Sequence, residues 1–387
     1  MSMVEKRKKE RINLVLNTIK THPDASKTEI KKISGLSMEA VLQYIDYLTE
    51  AGLIRCSGAK AEEEAKVGRR ADRYRLDPDG GKFLGVKFTA RRMSGVVTDF
   101  CGDVIATYEL ERETRRVTPQ ELMERIFHCI DRLTETFPIR TLTAIGLAAP
   151  GFVNSESGEL LRYNNLLSDV PLPLKAEVEK RYGVPVFVDG TTRVKAIAYH
   201  LNAGKNIENF AYIFIGSGCT SAYIYKDSLY RGGNGFDGEL GHLPVFGRTK
   251  ECSCGKKGCL ETVVGNGYIV KEMQERGREC RTIGDFVSAF EQGDAVAAEL
   301  MEEIAACIAY AVSAVITLYD PRYLVLCGDY VADEKFKAIF LRDLERFCLH
   351  DLFERTQIHF IKNQRGDNAS DAALLCYYNL YYNKTLI

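Results

Sequence analysis

The stretch GELGHLPVFGRTKECSCGKKGCLE, from Gly238 to Glu261, sets the strongest constraint on how this chain can fold. It gathers one imidazole and three thiols, those of His242, Cys252, Cys254 and Cys259, within eighteen positions. Zinc suits that donor set, because a Cys3His shell is tetrahedral and closed and leaves no place for a reactive water. Gly255 and Gly258 predict a tight knuckle between the last two thiols, where a side chain would crowd the ion. A site of this kind is structural. It would hold the residues at its edges, Glu239, His242 and Glu261, in fixed positions.

The other cysteines do not suggest disulfides. The chain has twelve, and its N-terminal EKRKKER is charged throughout rather than charged then apolar. That combination predicts a reducing, cytoplasmic setting and no export. The longest apolar run, Ala305 to Tyr319, is interrupted by Ser313 and Thr317 and is too short to span a bilayer. It predicts a buried helix and no membrane partner. With 387 residues the chain can form two or three domains.

Residues 1–78 hold 16 Lys and Arg against 12 Asp and Glu in a chain whose net charge is −1. Ile12, Val15, Leu16 and Ile19 share one helical face, which predicts a helix from about Lys6 to Lys20. Ser26 and Glu29 form a capping box for a second helix, with Ile30 and Ile33 turned inward. Gly35 breaks it, and Ser37 caps a third helix buried along Val41, Ile45 and Leu48. Leu53-Ile54-Arg55 and Arg73-Tyr74-Arg75-Leu76 read as extended. Three short helices and a two-stranded wing make a winged helix-turn-helix, whose third helix enters the major groove. Its outward face offers Glu39, Gln43 and Tyr44: Gln43 could bridge an adenine edge and Glu39 accept from cytosine. The wing supplies Lys66, Arg69, Arg70 and Arg73 for backbone or minor-groove contacts.

Two later stretches look alike: FLGVKFTARRMSGVVTDFCGDVIATYEL from Phe83 and FAYIFIGSGCTSAYIYKDSLYRGG from Phe210. Each reads as three strands joined by tight turns and followed by helices and further buried strands, at Thr143 to Leu147 and Pro185 to Val188 in the first half and Tyr323 to Cys327 and Ile358 to Ile361 in the second. The pattern predicts a duplicated α/β unit, with a first lobe over 79–195 and a second, metal-bearing lobe over 196–387. The C-terminal helix could pack back on the first lobe.

Taken together, GELGH at 238–242, CSCGKKGCLE at 252–261, LAAPG at 147–151, GVPVFVDG at 183–190 and the join GRRADRYRLDPDG resemble the ROK family of repressors, open reading frames and sugar kinases. The resemblance runs over essentially the whole chain. It implies an actin/hexokinase-like (ribonuclease H-like) two-lobed fold, a homodimer or higher homo-oligomer, and a monosaccharide at the cleft floor. By that match Glu239, His242 and Glu261 are the sugar-hydroxyl partners, with His242 giving its other ring nitrogen to the metal.

The chain departs from the family's kinases where chemistry would occur. Their opening Asp-x-Gly-Gly-Thr turn reads Lys87-Phe88-Thr89-Ala90-Arg91 here, and their second phosphate turn reads Gly216-Ser217-Gly218-Cys219-Thr220. The purine-side Gly-Gly reads Gly328-Asp329, and the Glu-Asn-Asp that binds sugar and supplies the base reads Asp189-Gly190-Thr191. Thr191, at the position of the kinase base, cannot accept a proton at neutral pH. Losing a general base costs about a hundred- to ten-thousand-fold in rate. Lys87 and Arg91 suit an anionic ligand. The expectation is a sugar-responsive transcriptional regulator, a repressor, whose catalytically degenerate kinase domain senses a small sugar or sugar phosphate. Its operator DNA would be an inverted repeat. The alternative is an active ROK sugar kinase with an appended DNA-binding domain.

Overall fold

The computed structural model describes residues 3–58, 72–89, 92–111, 116–135, 137–168, 170–202, 207–363 and 369–382. The chain divides into two compact units, Met1–Asn206 with Asn368–Ile387, and Ile207–Asp367.

The first unit opens on helix α1 (Met3–Thr21), which buries Val15, Leu16 and Ile19 completely. Strand β1 (Ala25–Ser26) leads into α2 (Lys27–Ser34), where Ser26 and Glu29 close a capping box from both sides and Gly35 ends the helix in the left-handed region. Ser37 caps α3 (Met38–Glu50), and β2 (Ile54–Cys56) and β3 (Arg73–Leu76) form the wing. The sheet has a third member, because β1 pairs with β3 to give the order β1-β3-β2. Arg75 binds both carboxylate oxygens of Asp24 at 2.9 and 2.8 Å, and Arg73 donates to the Asp24 carbonyl at 2.9 Å and to Glu29 at 3.4 Å. Arg73 therefore braces the wing from within the fold.

Two inward and outward assignments change. Tyr44 is buried, because it falls on the stripe of Val41, Ile45 and Leu48, three residues after the first and four before the last. Ile33 is 46% exposed; Ile30 alone is the buried residue of α2.

Strands β4 (Phe83–Phe88), β5 (Arg92–Thr98) and β6 (Val104–Glu111) form an antiparallel meander. Helix α4 (Pro119–Thr134) leads to β7 (Ala144–Ala149) and a small hairpin, β8 (Phe152–Asn154) with β9 (Glu159–Arg162). Helix α5 (Leu174–Tyr182), β10 (Val186–Gly190) and α6 (Thr191–Asn202) follow, and the sheet order is β10-β7-β4-β5-β6. Because α6 is one continuous helix, a lobe boundary between residues 195 and 196 would cut it; the division between units falls after Asn206.

The second unit repeats this plan. Its meander is β11 (Asn209–Ile215), β12 (Cys219–Tyr225) and β13 (Ser228–Leu229). Helices α7 (Glu261–Val264), α8 (Asn266–Glu275), α9 (Ile283–Glu291) and α10 (Ala295–Tyr319) precede β14 (Tyr323–Gly328). Helices α11 (Glu334–Phe347) and α12 (His350–Arg355) then lead to β15 (Gln357–Lys362). The order β13-β12-β11-β14-β15 matches the first sheet read from its other edge, β6-β5-β4-β7-β10, with the first two pairings antiparallel and the last two parallel in each. Helix α10 is long and apolar enough to cross a membrane by composition, but it lies in the core of this unit, burying Leu300, Ile304, Ile308 and Val312 among others.

The chain then returns to the first unit as α13 (Ser370–Tyr377) and a π-helical turn, Tyr378–Tyr382. Strand β4 turns Leu84, Val86 and Phe88 toward the core shared with α4 and presents the alternate face to α13. Backbone contact there requires glycine: a Cβ on Gly146 would lie 1.8 Å from the Ala372 carbonyl oxygen, and one on Gly85 would lie 2.3 Å from that of Ala369.

Candidate functional site

The segment after β13 is stitched to β12 by the Ser221 amide, which donates to the Gly238 carbonyl at 2.7 Å. A short 3-10 turn, Leu240–His242, then aims His242 into the loop that follows. The ring's two nitrogens face different groups: Nδ1 lies 3.7 Å from Cys252 Sγ, and Nε2 lies 3.8 Å from a carboxylate oxygen of Glu239. Cys254 Sγ and Cys259 Sγ stand 3.7 Å apart, and all four donor atoms lie within 4.8 Å of one another. Ligands about 2.0–2.3 Å from a tetrahedral ion stand roughly 3.3–3.8 Å apart, as the two 3.7 Å pairs do, so the donor set fits a metal ion. Burial first, then the Cys254 and Cys252 thiols, push the Cys259 thiol up to about 12. A divalent cation is what would stabilise three thiolates packed this closely.

The knuckle is built from backbone bonds, Gly255 N–H to Cys252 carbonyl at 2.9 Å and Cys252 N–H to Lys256 carbonyl at 2.8 Å. Its glycines also meet backbone demands of their own. Gly255 has φ 89° with open space where a side chain would go, and Gly258 has φ 73° with the Arg248 carbonyl oxygen 2.2 Å from any Cβ. Outside the knuckle, Lys250 reaches Glu272 at 2.9 Å and Glu275 at 3.1 Å, and Arg248 reaches Glu303 at 2.8 Å, which clamps the loop to α8 and α10.

Glu261 opens α7 and turns its carboxylate to the β11–β12 turn, accepting from the Cys219 amide at 3.3 Å and from Ser253 Oγ at 3.5 Å. Burial drives the Cys219 thiol well above its usual range, with the charges of Glu261 and then Glu239 adding to the effect. Glu261 thus touches Cys219 directly through its amide. Sequence reasoning passed over that residue, whose only signal was its place in the altered phosphate turn. At the ends of β11, β14 and β15, Asp329 accepts from Asn266 at 2.6 Å and Asn363 at 3.2 Å.

In the first unit Asp189, Ala148 and Lys87 lie in one row across β10, β7 and β4. Asp189 is buried and accepts from the Gly190 amide at 2.8 Å and from Arg193 at 3.3 Å; Arg193 also donates to the Val153 carbonyl at 3.4 Å. Asp189 is thus held in a buried ion pair, and Thr191 is the first residue of α6. Ala90 and Arg91 lie outside the described residues.

On the winged helix, Glu39 and Gln43 are exposed on α3, beside Asp46 and Glu50, while Tyr44 is withdrawn into the core. Lys66, Arg69 and Arg70 lie outside the described residues.

A winged helix joined to a duplicated α/β body with a Cys3His centre defines a class of protein that pairs a DNA-binding module with a sugar-kinase fold. Residues 83–375 match the ROK family model, and the chain belongs to the ROK family. Among curated relatives, it is 23% identical over 322 residues to the xylose repressor of Bacillus subtilis (strain 168), covering 82% of each chain. It is 26% identical over 334 residues to the DNA-binding transcriptional dual regulator NagC of Escherichia coli (strain K12), covering 83% of this chain and 80% of that one. A crystal structure of a ROK family transcriptional regulator, a homolog of the E. coli MLC protein, shares the fold at TM-score 0.83 and 23% identity over 97% of both chains. The ROK hexokinase from Thermus thermophilus shares it at TM-score 0.63 and 22% identity over 76% of this chain and 98% of that one.

Proposed function

We propose that this protein is a sugar-responsive transcriptional repressor whose kinase-like body senses a ligand without phosphorylating it. The observation that carries this reading is an asymmetry. Glu239, His242 and Glu261 are present around the Cys3His centre, whereas Lys87 and Thr191 stand where phosphoryl transfer needs an acid to place metal–nucleotide and a base. Asp189 is engaged with Arg193 and does not substitute for that base. Relatives named for xylose and for N-acetylglucosamine repression support a small sugar as effector, and Lys87 leaves room for a sugar phosphate.

Zinc is the metal we assign to His242, Cys252, Cys254 and Cys259, and a closed shell of this kind supplies structure rather than chemistry. His242 would give Nδ1 to the ion and keep Nε2, already oriented by Glu239, for a sugar hydroxyl. The repressor would act in the cytoplasm as a homodimer, or higher homo-oligomer, on an inverted-repeat operator. Glu39 and Gln43 would read bases, and Lys66, Arg69 and Arg70 would contact the DNA backbone. Phosphotransfer from ATP to xylose, glucose, N-acetylglucosamine and N-acetylmannosamine tests the reading. The expected result is background rates with every sugar, and robust turnover with any of them would make the chain an active kinase with an appended DNA-binding domain.

A further inference from the structure

The two ends of the chain meet. The side-chain amide of Asn17, on the inner side of α1, donates from Nδ2 to the Tyr381 carbonyl at 3.0 Å and accepts at Oδ1 from the Tyr377 hydroxyl at 3.0 Å. Lys20, one helical turn on, lies 5.4 Å over the Tyr377 ring. Tyr377 and Tyr381 pack edge-on against Phe83 and Phe100, with ring centroids 5.3–6.5 Å apart. This aromatic cluster belongs to the body of the first unit, so α1 is docked on the body chiefly through the C-terminal segment.

The same segment also grips α6. Tyr382 meets His200 near the end of α6, edge-on at 5.2 Å, and Asp371 lies 3.9 Å from Lys195 at the middle of that helix. Helix α6 begins at Thr191, at the carboxyl end of β10, the end of a parallel strand where ligands of α/β sheets bind. Its first turn is locked to the sheet by the buried Asp189–Arg193 pair. Twelve residues of α6 cover about 18 Å. The backbone contacts of Ala369 and Ala372 on Gly85 and Gly146 leave α13 no slack against the sheet. A π-helical turn, a geometry that recurs at functional sites, carries a contact of each grip, Tyr381 to α1 and Tyr382 to α6.

We infer that α13 and its π-helical turn form a connecting rod that passes displacements of α6 to α1 and so sets the orientation of the winged helix. Asn17 is its positioning residue on the α1 side and His200, at the end of α6 remote from Thr191, on the α6 side. The inference rests on the proposed function only in supposing that α1 to α3 bind DNA. Its test contains neither DNA nor sugar, so a failure of operator binding and a failure of the rod are read separately.

Amide hydrogen exchange of the full chain, followed by mass spectrometry, decides the matter. His200→Ala should raise exchange in residues 15–21 of α1 by about tenfold, although α1 does not share His200's helix. Tyr377→Phe, which keeps the ring and deletes only the hydroxyl bond to Asn17, should do the same and is the milder variant if His200→Ala folds poorly. Ile126→Val on α4, packed on the other face of the sheet, serves as the control and should leave α1 unchanged. Selective loosening of α1 in the first two variants supports the rod. Unchanged exchange in α1, or an equal rise in all three variants, overturns it.

Discussion

Cys254 is less buried than Cys252 and Cys259, yet it closes the donor set from the far side of the knuckle. Cys254→Ser should reduce zinc from about one per chain to near zero in plasma mass spectrometry of reduced protein. Structural sites of this type hold about 10–16 kcal/mol of apparent binding energy, so the loop from Leu243 to Leu260 should become protease-sensitive along with the loss. At Asp189 the expected consequence is stability rather than catalysis. Breaking a buried ion pair from one side costs about 3–5 kcal/mol, so Arg193→Met should lower the unfolding free energy obtained from urea titration by that much. Tyr44 behaves in the same way: Tyr44→Ala should destabilise the winged helix by about 3 kcal/mol or more, while Gln43→Ala should alter base preference and leave stability alone.

Among the elements, the knuckle's outer clamp carries a pH signature. The hydrogen bond from Lys250 holds the Glu272 carboxyl below its ordinary 4.5, with Arg276 assisting. Its contribution is complete above pH 4.5 and is lost as pH falls through the depressed folded value. Glu272→Gln should therefore lower stability at neutral pH and flatten the acid limb below pH 4.5, so that variant and wild type converge in acid, as read from urea midpoints across that range. Elements of this kind differ in how well the sequence announces them. Capping residues at Ser26 and Ser37, the left-handed Gly35 and the paired meanders were legible because each depends on neighbours close in sequence. The His/Cys cluster was legible because its spacing carries its chemistry. Tyr44 was misplaced because an aromatic with a hydroxyl suits either face, and only the partners of α3 decide between them. Strand β1, the internal use of Arg73 and Arg75, and the docking of Asn17 on Tyr377 and Tyr381 depend on residues 44 to 364 positions away, beyond any local pattern.

At the scale of the whole molecule, the account requires that ligand and DNA be linked through a change in free energy rather than through turnover. A coupling of about 1–3 kcal/mol suffices, and it appears as a roughly 5- to 150-fold change in operator affinity. A dimer carrying two winged helices should protect half-sites about one helical turn, or a multiple, apart, and footprinting upstream of the chain's own gene should reveal them. The most direct measurement is fluorescence anisotropy of that DNA titrated with the full-length protein. Xylose, N-acetylglucosamine and their phosphates would be added in turn, to the wild type and to Glu239→Ala. One of these sugars should shift wild-type affinity within that range, and Glu239→Ala should bind DNA normally but no longer respond. An affinity indifferent to every sugar, or a response that survives Glu239→Ala, would contradict the account.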